Sequence, residues 1–179
     1  VEIPEETVRQ ANATAEILGE EVFSKFPFLP GVQPVTKEPA ELILNRTWRP
    51  ALAITGAAGL PSLTDAGNVL RPMTAARISL RIPPGCDPQN ASERLKRLFE
   101  SEPPYNARVE FKLGQYAAGW SAPKLSPWLI RAMEDSSRAF FGKSPAFMGE
   151  GGSIPFMDML GRKYPDAQFL ITGVLGPNS

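Results

Sequence analysis

Thr74-Ala75-Ala76-Arg77-Ile78-Ser79-Leu80-Arg81-Ile82 alternates along its length. Ile78, Leu80 and Ile82 fall on one side, and Arg77, Ser79 and Arg81 on the other, the period of a strand with one oily and one polar face. Pro83 and Pro84 end it. The same period recurs at 51–55, where Leu52 and Ile54 alternate with small residues, and at 108–113, where Val109, Phe111 and Leu113 alternate with Arg108, Glu110 and Lys112. Strands of this kind need cover on the oily side only. The expected fold is therefore α+β, a two-layer domain in which helices cover one face of an open antiparallel sheet. Its charged face, with Arg77 and Arg81, is left open to a ligand or partner.

The flanking segments supply helices. Val8, Ala11, Ala15, Leu18 and Val22 follow a 3-4 spacing, which predicts a helix over 5–25. Pro27, Pro30 and Pro34 force a loop, and a short helix is expected near 37–46. Between the strands at 74–82 and 108–113, Asp87-Pro88 provides a cap and first helical turn, Asn90 with Glu93 a capping box, and Ala91, Leu95, Leu98 and Phe99 an apolar face. Beyond residue 119 the pattern changes. Ser126-Pro127 opens a helix with Leu129, Ile130, Met133, Phe140 and Phe141 on one face, and Gly142 stops it. A short strand at 146–148, a helix from Ser153 to about Lys163 and a continuous apolar run from Gln168 to Val174 follow. Such a run is expected of a strand buried on both faces of an α/β sheet.

Composition narrows the function. Lys+Arg and Asp+Glu number 19 each, for a net charge of zero, which offers no electrostatic pull toward nucleic acid or an anionic membrane. No apolar run reaches the length of a bilayer span. Val1–Glu6 lacks the basic start of a signal peptide, and a cytoplasmic location is expected. Cys86, the single cysteine, excludes an internal disulfide. Proline, 19 of 179 residues, is spread among folded segments and predicts many sharp turns. Histidine is absent, which removes the commonest general base and metal ligand and excludes Ser-His-Asp and Cys-His catalysis.

One motif points to an anion. In Gly149-Glu150-Gly151-Gly152-Ser153-Ile154-Pro155, the glycines precede a Ser cap and a helix-starting Pro. Backbone N–H groups, a hydroxyl and the helix dipole would then converge on a carboxylate or phosphate. The plainer reading is a tight turn with Ser153 as an ordinary N-cap.

This turn, together with Tyr164-Pro165, Thr172-Gly173-Val174-Leu175-Gly176-Pro177-Asn178-Ser179, Gly67-Asn68-Val69-Leu70 and Ala76-Arg77-Ile78-Ser79-Leu80-Arg81-Ile82-Pro83, resembles the carnosinase/aminoacylase-type dinuclear zinc metallopeptidases, especially their dipeptidase branch. The resemblance runs in order over 45–179 and is loose before that. It implies an incomplete lid and dimerisation domain at 1–118, followed at 119–179 by the last α/β units of an incomplete catalytic domain. It further implies that the ligands for two zinc ions and the catalytic Glu lie outside the chain, so that this chain holds no catalytic or metal-binding residue and is inactive alone. The lack of histidine is what such a division would produce.

Carried over residue by residue, the resemblance makes Arg81 the group that binds a substrate's terminal carboxylate. Ser153 with the N–H groups of Gly151 and Gly152 would hold the same end, and Asn68 would reach substrate across a dimer. The substrate would be a small peptide or N-acyl amino acid, and the partner a second copy joined through the lid. Without those roles, Asn68 is a turn residue, Arg81 a surface arginine pairing with Glu110, and Ser153 a cap. Glu150 reads as a structural carboxylate, Arg77 as a solvated charge on the sheet face, Cys86 as inert, and Trp48, Trp120 and Trp128 as packing anchors. The alternative is a non-catalytic interaction or anion-binding module that self-associates through its sheet.

Overall fold

The computed structural model describes residues 2–149 and 155–173. Its first part is a corner of three helices, α1 (Glu5–Leu18), α2 (Glu21–Ser24) and α3 (Pro39–Thr47). The single helix expected over 5–25 is broken at Gly19, whose φ of +51° lies in the left-handed region that glycine enters at little cost. The apolar stripe survives the break. Ala11 and Val22 join Ile43 and Leu44 in the buried core, and Val8, Ala15 and Leu18 pack around them. Buried Thr14 is satisfied as well, donating its hydroxyl to the Phe147 carbonyl at 2.8 Å.

Next come β1 (Ala51–Ala58) and β2 (Ala75–Arg81), paired antiparallel with Ala51 opposite Arg81 and Ala58 opposite Ala75. The register shifts between Ile54 and Gly56, and Thr55 there donates its hydroxyl to the Arg77 carbonyl at 3.3 Å. Just past β1, Gly59 has φ +81°, and a Cβ on it would stand 2.2 Å from the Met73 carbonyl oxygen. Only glycine allows that approach. It closes the neck of the 60–74 excursion that carries Asn68.

The elements are α+β, as expected, but the helical cover expected over the sheet is not formed among the described residues. There the sheet has two strands, and none of the helices packs extensively on it. Leu52 and Ile54 are 65% and 70% exposed. Helices α1–α3 bury their stripes on one another instead, so their apolar faces are already occupied.

The strand expected at 108–113 is not formed either. Helix α4 (Pro88–Glu100) intercepts its backbone: Glu100 accepts the Phe111 N–H at 2.7 Å, and the Lys96 ammonium donates to the Phe111 carbonyl at 3.1 Å. The Phe111 ring stacks on Phe99, centroids 5.5 Å apart. Side chains of a helix have replaced a strand ladder. The cap of α4 is as read, with Pro88 in the first turn and the Asp87 carboxylate accepting the Asn90 N–H at 2.6 Å. The capping box is not; Glu93 accepts instead from the Gln89 side chain at 3.0 Å. On the expected buried face of α4, Ala91 and Leu95 are half-buried but Leu98 is 71% exposed.

Helices α5 (Pro127–Phe141) and α6 (Pro155–Lys163) complete the described elements. Gly142, at φ +68°, ends α5 as expected. Of the α5 apolar face only Leu129 is buried, while Phe140 and Phe141 are exposed. Trp120 lies so close to α6 that a Cβ on Gly161 would be 2.6 Å from its indole nitrogen. The same indole meets Phe169 edge-on at 5.3 Å. The expected strands at 146–148 and 168–174 form no ladder among the described residues, and Leu170 and Ile171 are exposed. A strand needs a neighbour to take its N–H and C=O groups, and none lies beside these segments there.

Candidate functional site

Arg81 is the last residue of β2, and its side chain is exposed. Its Nη1 donates to the carbonyl oxygen of Arg46, in the last turn of α3, at 3.2 Å. Carbonyls in that turn lack partners within the helix, and the negative end of the helix dipole favours a cation. The pairing with Glu110 is not made; Glu110 sits 3.4 Å from the Lys112 ammonium instead. Arg81 thus has no carboxylate partner among the described residues.

Arg46 is a residue that sequence reading did not single out. Its Nη2 lies 3.1 Å from the Met148 sulfur, and its Nε is buried with no hydrogen-bond partner among the described residues. Beside it, Thr47 packs on Gly149, where a Cβ would come within 3.1 Å of the Thr47 Cβ. With Thr14 on the Phe147 carbonyl, α1 and α3 together hold residues 147–149. Two segments far apart in sequence, β2 and 147–149, therefore meet at the end of α3. The only sequence signal for Arg46 was its place in the last turn of a helix just ahead of a strand.

Gly151, Gly152 and Ser153 lie outside the described residues, as does Glu150. Asn68 is exposed in the 60–74 excursion, inside a tight turn closed by the Val69 N–H on the Gly67 carbonyl at 2.9 Å. No hydrogen bond among the described residues joins it to Arg81. Cys86 is a half-buried free thiol.

The carboxylates whose acidity is displaced belong to structural contacts. Lys96 and then the Phe111 N–H hold Glu100 below the usual carboxylate range, and Ser144 and Arg138 do the same for Glu134. Among the described residues no three His, Cys, Asp or Glu side chains converge, so these residues do not fit a zinc ion. No described helix is long and apolar enough to cross a membrane.

No family model matches the chain. A cysteinylglycine-S-conjugate dipeptidase from Corynebacterium striatum is 31% identical over 156 residues, which is 83% of this chain and 32% of that protein. Over most of its own length the chain is thus similar to a dipeptidase. It is a partial counterpart, spanning about a third of the length of that relative. The crystal structure of human carnosine dipeptidase 1 superposes with a TM-score of 0.49 at 21% identity, covering 90% of this chain and 34% of that one. Similarity to a dipeptidase agrees with the resemblance to the dipeptidase branch.

Proposed function

We propose that the chain is the substrate-carboxylate-binding and dimerisation portion of a zinc metallopeptidase that cleaves dipeptide-like substrates. The observation that carries the reading is the 31% identity to a dipeptidase across 83% of the chain. In it, residues 1–118 act as the lid and 119–179 as the end of the catalytic domain. Zinc would supply Lewis-acid activation of water in the whole enzyme, held with the catalytic glutamate by sequence outside these 179 residues. Arg81 presents a planar guanidinium suited to bidentate carboxylate binding. Ser153 and the N–H groups of Gly151 and Gly152 hold the same end of the substrate, and Asn68 serves the partner's site. The exposed Leu52 and Ile54 support association through the sheet.

Glycylglycine and its C-terminal amide, titrated into the full chain and followed by NMR, test this. Glycylglycine is expected to move the Arg81 side-chain resonance without being hydrolysed, and the amide is not. Arg81→Ala is expected to weaken glycylglycine binding about tenfold or more, the worth of a charge-assisted pair. Equal response to dipeptide and amide would sink the carboxylate role, and chelator-sensitive hydrolysis would sink the inactivity. Light scattering on the same samples reports the dimer; a monomer at every concentration removes that part.

A further inference from the structure

We infer that Arg46 is a positioning residue for Arg81, and that the contact of its guanidinium with Met148 is what gives it that role. This rests on the carboxylate-binding reading of Arg81.

The carbonyl of Arg46 receives the Arg81 Nη1 at 3.2 Å, so the direction of the Arg81 fork follows the last turn of α3. That turn is held from its other side. Arg46 Nη2 meets the Met148 sulfur at 3.1 Å, and Thr47 packs on Gly149. The Phe147 carbonyl is held by Thr14 of α1. Arg46 joins both segments, Arg81 through its backbone carbonyl and Met148 through its side chain.

The chemistry of the second contact is unusual for a structural one. A thioether is a weak acceptor for a guanidinium, and among the described residues the buried Nε beside it has no partner. A group placed only to stabilise the fold would be expected to find a carboxylate or carbonyl, because buried donors left unmade are costly. Local rules are most often broken where a function imposes its own geometry. Among the described residues the weak acceptor places Arg46 without bringing a carboxylate to Arg81.

The test uses the full chain with glycylglycine and its C-terminal amide as probes. Arg46→Met and Met148→Ala remove the contact; Met148→Gln keeps an acceptor of similar reach; Arg81→Ala is the control. Both removals are expected to lower the preference for glycylglycine over its amide about fivefold, the scale of one lost hydrogen bond. They should also shift the Arg81 Nε–H resonance, with the thermal midpoint of the Met148→Ala chain unchanged. Met148→Gln is expected to retain the preference. If Arg46→Met disturbs folding, the Met148→Ala and Met148→Gln pair decides alone. The inference is overturned if Met148→Ala leaves the preference and the Arg81 resonance as they were while Arg81→Ala abolishes binding. If Arg81→Ala itself changes nothing, the carboxylate-binding reading fails and takes this inference with it.

Discussion

In the α1–α3 corner, Ala11, Val22, Ile43 and Leu44 are almost wholly withdrawn from water, whereas on the adjoining β1–β2 sheet Leu52 and Ile54 remain 65% and 70% exposed. The corner is held by burial, at about 25 cal/mol per Å² of apolar surface. The sheet is held by its own ladder and by its end contact with α3, and a lone pair of strands is only marginally stable in water. Arg81 sits on the weaker of the two elements but leans on the stronger one. A side chain at the end of a two-stranded ribbon gains a fixed direction only from a rigid neighbour, and α3 is that neighbour.

The sharpest way to break this comparison is to cut equivalent side chains on both sides of it. Ile43→Ala, at 2% exposure, is expected to cost about 2–5 kcal/mol of stability by urea denaturation. Ile54→Ala is expected to stay within about 0.5 kcal/mol. Equal losses would mean that the sheet is buried after all. A smaller effect is expected at α4, where Asp87→Ala removes the 2.6 Å bond to the Asn90 N–H and should cost about 1 kcal/mol. Amide exchange should then rise in the first turn of α4 and not in α3; a rise in both would mean that the two helices unfold as one unit.

The smallest expected effect concerns Glu100, whose carboxyl is held below the usual range by Lys96 and the Phe111 N–H. A carboxyl depressed in the folded state contributes stability above its unfolded pKa, about 4.3, and loses it as pH falls through the lower folded value. The Phe111 amide resonance should therefore stay constant from neutral pH down to about 4 and move below that. A resonance that does not move on acidification would show that the carboxylate is not what holds residue 111.

These contrasts also explain what could be read in advance. Helices at 39–47, 88–100 and 127–141 and the strands at 51–58 and 75–81 were legible because spacing, caps and period are local properties. The cap at Asp87 and the stop at Gly142 are of the same kind. The 108–113 segment was misread because alternation reports two faces and not a partner, and at Phe111 the partners turned out to be Glu100 and Lys96. The run at 168–173 is oily enough for a buried strand but has no ladder beside it among the described residues. At the site Arg81 is exposed, as expected, but so are Leu52 and Ile54, which alternation had put on a covered side. The anchor of Arg81 on Arg46 was invisible, because a contact through a backbone carbonyl leaves no trace in side-chain chemistry.

That anchor divides the guanidinium. Of the five N–H donors an arginine carries, Nη1 supplies the one that meets the helix carbonyl. The edge formed by Nε and Nη2 remains, two parallel donors in one plane, the edge that matches the two oxygens of a carboxylate side-on. Fastening one corner of the fork fixes the bearing of the other without using it. A lysine at position 81 has a single charged nitrogen, which would have to choose between the helix end and an arriving anion.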